Sequence, residues 1–130
     1  LVVSNCAWAC QRAVRWEDYI LIRTYHSGLK NYPELMLFNV KDDPHELHDL
    51  VAERPELVGA GLRRLDEWAT DEMRRSPRVE DPLWTVMRES GPYHAKFDSP
   101  LYRQYLERLR ATGRETFADE LEERRKRLPT

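Results

Sequence analysis

Four carboxylates and two histidines lie within eight residues of this 130-residue chain, between Asp42 and Asp49. Such a cluster could hold a metal ion, because imidazole and carboxylate groups are common metal ligands. A helical zinc site of the protease type needs histidines four residues apart, whereas His45 and His48 are three apart. The shorter spacing binds metal in carboxylate bundles with glutamates from other helices, and none is recognisable here. The sequence also lacks a D-x-D-x-D-G calcium loop, so we expect no metal at 42–49.

The same residues fit the beginning of a helix. Asp43 is a natural N-cap, Pro44 suits the first helical position, and Glu46 stands where a capping box places its acid. The pattern therefore predicts a short helix that begins at Pro44, with Leu47 and Leu50 turned towards the core. Solvent is expected to surround the remaining polar residues, His45, His48 and Asp49.

No self-sufficient active site is visible elsewhere. None of the serines stands in G-x-S-x-G, and the five glycines form no phosphate-binding loop. If residues 6–16 are extended, Cys6 and Cys10 lie about 13 Å apart, at about 3.3 Å per residue. That exceeds the roughly 7 Å between Cα atoms that a disulfide tolerates, which predicts two free thiols. Free thiols of this kind favour a reducing compartment, and we expect a cytoplasmic location.

The first forty residues have the composition of a sheet. The stretches 10–16, 19–25 and 34–40 are rich in alternating, β-branched and aromatic residues. A tight turn at Glu17-Asp18 and a loop over 26–34 join them, which favours an antiparallel meander. Leu1–Ser4 either extends the first strand or forms a fourth.

The rest of the chain has helical periodicity. Residues 55–76 carry an apolar stripe at spacings of three and four, formed by Val58, Leu62, Leu65, Trp68, Ala69 and Met73. Asp81-Pro82 and Ser99-Pro100 are typical helix starts, Gly91 and Gly113 are typical helix ends, and a last helix covers 114–127. The sequence thus predicts an α+β fold: a three- to four-stranded antiparallel sheet within 1–40, a long amphipathic helix over 55–76 packed on it, and a helical C-terminal extension over 81–128.

Composition excludes several classes of partner. The net charge is −2 and the pI is about 6.1, which gives no basis for nucleic-acid binding. The basic end of the last helix, 124–127, is better explained by cations that stabilise a helix C-terminus. No apolar run reaches the roughly 18 residues that cross a membrane, and the beginning has no signal-peptide pattern. Because the chain does not begin with Met, we expect it to be part of a longer protein.

Three segments together resemble one known family. They are RAVRWEDYILIRTY (12–25), LMLFNVKDDPHELHDLVAERPELV (35–58) and LRRLDEW (62–68). Their order is similar to the C-terminal subdomain of the sulfatases, the type I family of the alkaline-phosphatase-like superfamily. That family reads roughly R-x-V-R-x-x-x-Y-x-x-I, then L-Y/F-D-L-x-x-D-P-x-E-x-x-N-L. This chain departs from it at Asn39, where Asp is usual, and at Asp49, where Asn is usual.

The resemblance implies a division of the chain and a parent enzyme. Residues 1–76 would be a sulfatase-like C-terminal α+β subdomain, and 77–130 a helical extension packed on it or on a neighbouring chain or domain. Sulfatases hydrolyse sulfate esters with a formylglycine, made from Cys or Ser in C/S-x-P-x-R, and with a bound calcium ion. Both belong to the large N-terminal domain, and this chain contains no C/S-x-P-x-R. The resemblance therefore implies no catalytic residue, metal ligand or cofactor here, and a parent that needs both.

The resemblance also suggests where substrate could be touched. Loops of this subdomain border the substrate cleft in the family, so His26, Lys30 and Tyr32 of the 26–32 loop and His94 are candidate substrate contacts. Ordinary exposed loop residues are the alternative for all four. The expected partner is the missing N-terminal catalytic domain, with a homo-oligomer as a second expectation. The competing hypothesis is a stand-alone α+β protein-interaction or dimerisation module without catalysis.

Overall fold

The computed structural model describes residues 1–7, 9–28, 30–77, 80–89 and 100–127. Four strands precede four helices along the chain. They are β1 (Val2–Asn5), β2 (Cys10–Trp16), β3 (Tyr19–His26), β4 (Leu35–Asn39), α1 (Pro55–Arg75), α2 (Pro82–Glu89), α3 (Pro100–Ala111) and α4 (Glu115–Arg127). The predicted α+β fold is confirmed, and Leu1–Ser4 contributes to a fourth strand rather than to an extension of the next one.

The sheet is a simple antiparallel meander in the order β1-β2-β3-β4. Trp16 lies opposite Tyr19 across the two-residue link Glu17-Asp18, as the sequence predicts. The same register continues along the central hairpin, so Val14 faces Leu21 and Arg12 faces Arg23, until it shifts between Gln11 and Cys10, which pairs with His26. Because side chains alternate between the two sides of a strand, the register also decides which residues α1 can cover.

One side of the sheet, which we call the helix-facing side, forms a core with α1. Val14, Leu21 and Leu37 are buried there against Leu65 of the helix. The alternation predicted for 10–16 and the apolar stripe predicted for 55–76 both contribute to this contact. The opposite or second side carries residues of the other parity, which include Ala13, Ile20, Ile22 and Met36. These four side chains are partly exposed, and Val3 of the edge strand β1 is 54% exposed.

The helices α3 and α4 form a pair with a core of its own. Its buried residues are Tyr102, Leu106, Leu109, Ala118 and Leu121. Gly113 has a φ of +74°, so it provides the left-handed closing residue that was predicted for α3. The helix pair contacts the loop between β3 and β4, where Asn31 Nδ2 donates a hydrogen bond to Glu120 Oε2 at 2.7 Å. The division into a subdomain over 1–76 and an extension over 77–130 stays a prediction.

The predicted short helix at 44–50 is wrong. Residues 41–54 form a series of turns, and Glu46 has a φ of +55°, a left-handed conformation that ends any helix. Asp43 does accept a backbone hydrogen bond through its side chain, but from the N–H of His48 at 2.8 Å, five residues on. The turn points Leu47 outward, where it is 84% exposed, rather than towards the core. Leu50 packs against the core as predicted.

Asp49 fastens this segment to the edge of the sheet. Its Oδ1 accepts the backbone N–H of Leu37 and that of Val51, both at 3.0 Å. The N–H of Leu50 donates to the carbonyl of Leu37 at 2.8 Å. These bonds occupy the outward backbone groups of β4 at Leu37, and an occupied edge is protected from pairing with another chain.

We expect Asp49→Ala to lower the free energy of unfolding by about 1 kcal/mol, because two backbone donors lose their acceptor. Asp49→Asn is the matched control, since an amide oxygen can accept both bonds, and it should stay close to the parent. Urea denaturation of the three proteins measures the difference. Equal losses for Ala and Asn would mean that the negative charge, rather than the acceptor, is what matters.

Candidate functional site

Two of the predicted substrate contacts lie together in a small concavity, which we call the loop cavity. It measures about 250 Å³ and is lined by Asn5, Ala9, Gln11, Lys30 and Tyr32. The loop that carries Lys30 begins with a turn in which the N–H of Lys30 donates to the carbonyl of Ser27 at 3.0 Å. Lys30 and Tyr32 are both exposed. An ammonium and a phenol hydroxyl therefore lie beside two carboxamides, a combination suited to a polar or anionic group.

The two predicted histidines have different outcomes. His26 ends β3, and its Nδ1 accepts the backbone N–H of Gly28 at 2.9 Å. Gly28 has a φ of +59°, so this hydrogen bond belongs to the turn that starts the loop. The structure thus gives His26 a structural role next to the loop cavity. His94 lies outside the described residues. A substrate role for any of the four stays a prediction.

The prediction for the cysteines is wrong. Cys6 and Cys10 form a disulfide, with their Cα atoms 4.3 Å apart. The extended geometry assumed for 6–16 holds only from Cys10, because β2 begins there and Cys6 lies outside both β1 and β2. Ala9 lies inside the closed ring and also lines the loop cavity. The disulfide therefore fixes one wall of the cavity that contains Lys30 and Tyr32.

We expect reduction of this disulfide to lower the free energy of unfolding by about 2 kcal/mol. That value is the chain-entropy effect of a ring this short, and longer rings give more. Urea denaturation with and without a thiol reductant measures it. The free energy of unfolding of a Cys6→Ala, Cys10→Ala double variant should be the same with and without reductant. If a thiol titration shows that the disulfide of the parent has been reduced and the free energy of unfolding is still unchanged, the bond does not constrain the unfolded chain.

A larger concavity, the α1–α2 cleft, lies between the sheet, α1 and α2. Its volume is about 420 Å³. The apolar part of its wall consists of Trp68, Ala69, Met73, Pro82, Leu83 and Val86. Arg12, Asp81 and Ser4 form its polar end. A volume of this size falls within the roughly 300–1,000 Å³ of small-molecule sites.

Arg12 is the most unusual residue of this cleft, because it is a charged side chain only 5% exposed. Its Nη1 and Nη2 donate to the two carboxylate oxygens of Asp81 at 2.8 and 3.0 Å. Its Nε donates to Ser4 Oγ at 3.1 Å, and its guanidinium carbon lies 4.7 Å from the centre of the Trp68 ring. A planar guanidinium suits both the bidentate pair and the stacked ring. Arg12 thereby joins β1, β2, α1 and the start of α2.

The pair also determines the protonation of both partners. The hydrogen bonds from Arg12 hold the pKa of the Asp81 carboxyl below its usual value, against the opposing effect of burial. Burial acts to lower the pKa of Arg12, but the hydrogen bond and charge of Asp81, together with the smaller effect of Tyr25, outweigh it and the pKa is raised. Both groups are therefore charged at neutral pH. Asp81 is also the N-cap of α2, where its Oδ1 accepts the N–H of Leu83 at 3.0 Å.

The comparisons with known proteins give no identification. No family model, no curated protein and no solved structure matches this chain. What the chain does must therefore be inferred from its own geometry. Within the described ranges, no helix is long and apolar enough to cross a membrane.

The part of the chain that the structure describes contains no group of three or more His, Cys, Asp or Glu side chains that could hold a metal ion. The side chains of the 42–49 stretch are dispersed: His45 and His48 are both exposed, and His48 Nε2 lies 2.9 Å from Glu53 Oε1.

The α1–α2 cleft was not predicted from the sequence, although two of the residues that line it, Arg12 and Asp81, belong to recognisable sequence patterns. Asp81 was expected only as a helix cap. Arg12 stands in an alternating set with Cys10, Val14 and Trp16, which places it on the buried side of its strand. A charged residue at an inward position needs a partner, and that was the signal in the sequence. The signal does not say which of many carboxylates the partner is.

Proposed function

We propose that this chain is the C-terminal subdomain of a sulfatase, inert alone, and that it packs on an N-terminal domain that carries the formylglycine and the calcium. One observation carries the proposal. The residues of the D-P-x-E-x-x-D-L motif, which bears the resemblance, hold the backbone in place: Asp43 stabilises the turn and Asp49 fastens it to β4. A motif used in this way identifies a scaffold rather than a reaction.

The second side of the sheet supports a packing role. Ala13, Ile20, Ile22 and Met36 lie there on the side opposite α1 and are partly exposed, whereas Phe38, which pairs with Ile20, is buried. Apolar residues that neighbour one another on a sheet surface can form an interface. We propose the N-terminal domain as its cover in the parent protein, and we expect the isolated chain to self-associate through it. A homo-oligomer or interaction module is the competing function if no such domain exists.

The loop cavity supports an auxiliary role at the substrate. Lys30 can attract the negative charge of a sulfate ester, and the hydroxyl of Tyr32 can donate to one of its oxygens. Both contacts would position the substrate and leave the chemistry to the N-terminal domain. We propose Lys30 and Tyr32 as substrate contacts, His26 as the residue that shapes their loop, and His94 as a contact proposed from the resemblance alone.

The cell compartment of the protein stays a proposal as well. The cytoplasmic location rested on two free thiols, whereas Cys6 and Cys10 are joined. Disulfides persist in oxidising compartments and are uncommon in the cytosol. The bond therefore weighs towards an extracytoplasmic location and against the expectation from the sequence. Thiol alkylation of the protein in freshly lysed cells distinguishes the two.

Hydrolysis of an aryl sulfate tests the proposed function. The protein encoded by the full reading frame should hydrolyse 4-nitrophenyl sulfate, and the purified 130-residue chain should not. In the full protein, Lys30→Ala should raise KM with little change in kcat, whereas Lys41→Ala, an exposed lysine beside the β4 turn, should leave both unchanged. Turnover by the isolated chain, or a reading frame without C/S-x-P-x-R upstream of Leu1, would contradict the proposal. In the latter case a defined dimer in sedimentation would favour the interaction module.

A further inference from the structure

We infer that Arg23 of β3, together with Tyr25 and Trp84, binds a small aromatic molecule that carries one carboxylate. The three side chains are contiguous. The guanidinium carbon of Arg23 lies 5.4 Å from the centre of the Tyr25 ring, and the Trp84 ring lies 5.4 Å from that of Tyr25. The inference does not rest on the sulfatase proposal, because none of the three residues lines the loop cavity. It rests on a positive charge without a counter-charge, a bulge that positions Tyr25, and an exposed indole.

Arg23 is a partly buried cation without a counter-charge on the helix-facing side of the sheet. Its neighbours there are Arg12 and Leu35 on the adjacent strands and Leu21 and Tyr25 along β3, and none of them is acidic. Within the described ranges, its guanidinium makes no ion pair or hydrogen bond and contacts the Tyr25 ring instead. Desolvation of an unpaired charge is costly, so arginine is rarely withdrawn from solvent without a partner. An anion bound at Arg23 would supply that partner.

The neighbouring arginine adds no second positive charge to the site. Arg12 lies directly opposite Arg23, but its two Nη atoms donate to the two carboxylate oxygens of Asp81. The charges of Arg12 and Asp81 therefore compensate each other, and one positive charge is left at Arg23. A single guanidinium can make two parallel hydrogen bonds to the two oxygens of a carboxylate. A phosphate would bring a second negative charge, for which these residues offer no cation, so a carboxylate fits the site better.

A bulge in the central hairpin positions the Tyr25 ring. Thr24 lies opposite Gln11 and His26 lies opposite Cys10, so Tyr25 has no partner in the register of β2 and β3. Such a bulge redirects the side chain that it carries, and bulges are common beside functional sites. The ring contacts both the guanidinium at position 23 and the indole at position 84.

Trp84 of α2 provides the surface for the aromatic part of the ligand. Its ring is nearly perpendicular to that of Tyr25, at 79°, and the residue is 46% exposed. An exposed indole can stack on an aromatic ring, and tryptophan is enriched among the residues that dominate binding. Two successive distances of 5.4 Å limit how far the indole can lie from the guanidinium of Arg23. A two-ring arene carboxylate is long enough to reach from one to the other.

Three probes test the inference by isothermal calorimetry on the 130-residue protein. They are 2-naphthoate, its neutral isostere 2-naphthamide, and acetate. Naphthoate should bind at one site per chain and about tenfold more tightly than naphthamide, because the amide cannot neutralise the guanidinium. It should also bind about tenfold more tightly than acetate, which has no ring to stack on the indole. Absence of naphthoate binding, or an affinity equal to that of either other probe, would overturn the inference.

Matched variants locate the site. Arg23→Gln should remove the preference for naphthoate over naphthamide, whereas Arg15→Gln should preserve it, since Arg15 is exposed on the second side of the sheet. Trp84→Leu should bring the affinity for naphthoate close to that for acetate. A preference that survives Arg23→Gln, or one that is lost in Arg15→Gln, would overturn the assignment.

Circular dichroism shows whether each variant folds. If Arg23→Gln does not fold, Arg23→Lys replaces it, because lysine keeps the positive charge but lacks the planar fork of the guanidinium. Arg23→Lys should weaken the binding of naphthoate without changing that of naphthamide, and an unchanged affinity for naphthoate would contradict a bidentate contact at this position.

Discussion

Replacement of Asp81 by alanine is expected to lower the free energy of unfolding by about 3–5 kcal/mol. Arg12 is only 5% exposed and would keep Ser4 and Trp68 but lose its counter-charge. A buried guanidinium without a carboxylate cannot shed its proton, so the cost of its desolvation is left uncompensated. The change also removes the N-cap of α2. Urea denaturation followed by tryptophan fluorescence measures the loss.

Asp71→Ala is the matched control. Asp71 also pairs with arginines, at 3.7 Å from Arg74 and 3.8 Å from Arg75, but on the exposed surface of α1. Water and salt screen such a pair, so its loss should have little effect. Similar losses at positions 71 and 81 would mean that Arg12 is far better hydrated than the structure indicates.

A double variant shows how strongly the contributions of Arg12 and Asp81 to stability depend on each other. Arg12→Leu together with Asp81→Leu removes both charges and should be less destabilised than Asp81→Leu alone. The reason is that breaking a buried pair leaves one charge unpaired, whereas replacing both leaves none. Additive losses would show that the two residues act independently. The cycle thus measures the coupling without assuming a value for either residue.

The pH dependence of stability follows from the same pair. Arg12 holds the pKa of Asp81 below its ordinary value of about 3.9 in the folded chain. A carboxyl with a depressed folded pKa stabilises the fold above its unfolded pKa, and that contribution is lost as the pH falls through the folded pKa. The parent should therefore lose stability below about pH 4 more steeply than Asp81→Asn does. Parallel pH profiles would show that Asp81 titrates as it does in the unfolded chain.

Local patterns predicted the elements because their causes are local. Alternation placed Val14 on one side of its strand, β-branched and aromatic composition marked the strand that contains Leu21, and the spacing of Leu65 and its neighbours predicted the helix that covers them. The helix starts at Pro82 and Pro100 were recognisable for the same reason, since a proline and the polar residue before it determine the first turn. The helix starts depended on a few neighbouring residues, and the apolar stripe of α1 on a window of about 11–18 residues.

The predictions that were wrong each assumed a backbone conformation that the residues permit but do not require. D-P-x-E is compatible with a helix, but Glu46 takes a left-handed conformation because Asp49 and Leu50 bond to the edge of β4 instead. Cys6 and Cys10 were placed on one strand, whereas Cys6 lies outside the strand that begins at Cys10 and a disulfide joins the two. In both cases a tertiary contact determined the local conformation, and propensity alone could not anticipate it.

The contact between Arg12 and Asp81 could not be predicted in any local way. The two residues are 69 positions apart, and the chain has 23 acidic residues among which Arg12 could find a partner. Which one it meets depends on how α2 docks after α1. The α1–α2 cleft is a consequence of that docking, so it could not be predicted from the sequence either.

Gly61→Leu is expected to lower the free energy of unfolding by about 3 kcal/mol. Gly61 is buried where α1 crosses the sheet, and a Cβ atom there would lie 2.7 Å from Leu21 Cδ2 and 2.9 Å from Leu21 Cβ. Leu21 is fully buried at the centre of the sheet, so it has no space into which to move. The helix would have to lift from the helix-facing side, which would also separate Leu65 from Val14 and Leu37.

A comparison of Gly59→Ala with Gly61→Ala shows whether the contact with Leu21 or the helix propensity has the larger effect on stability. Both changes lie in the same helix and both gain about 1 kcal/mol of helix propensity. A Cβ at Gly59 meets nothing within 4 Å, so the gain should appear there as higher stability. At Gly61 the approach to Leu21 should reverse the sign, because overpacking costs about 1–3 kcal/mol. Thermal unfolding of the two variants therefore tests the position of α1 on the sheet. If both substitutions are stabilising, α1 lies farther from Leu21 than the 2.9 Å between a Cβ at position 61 and Leu21 Cβ implies.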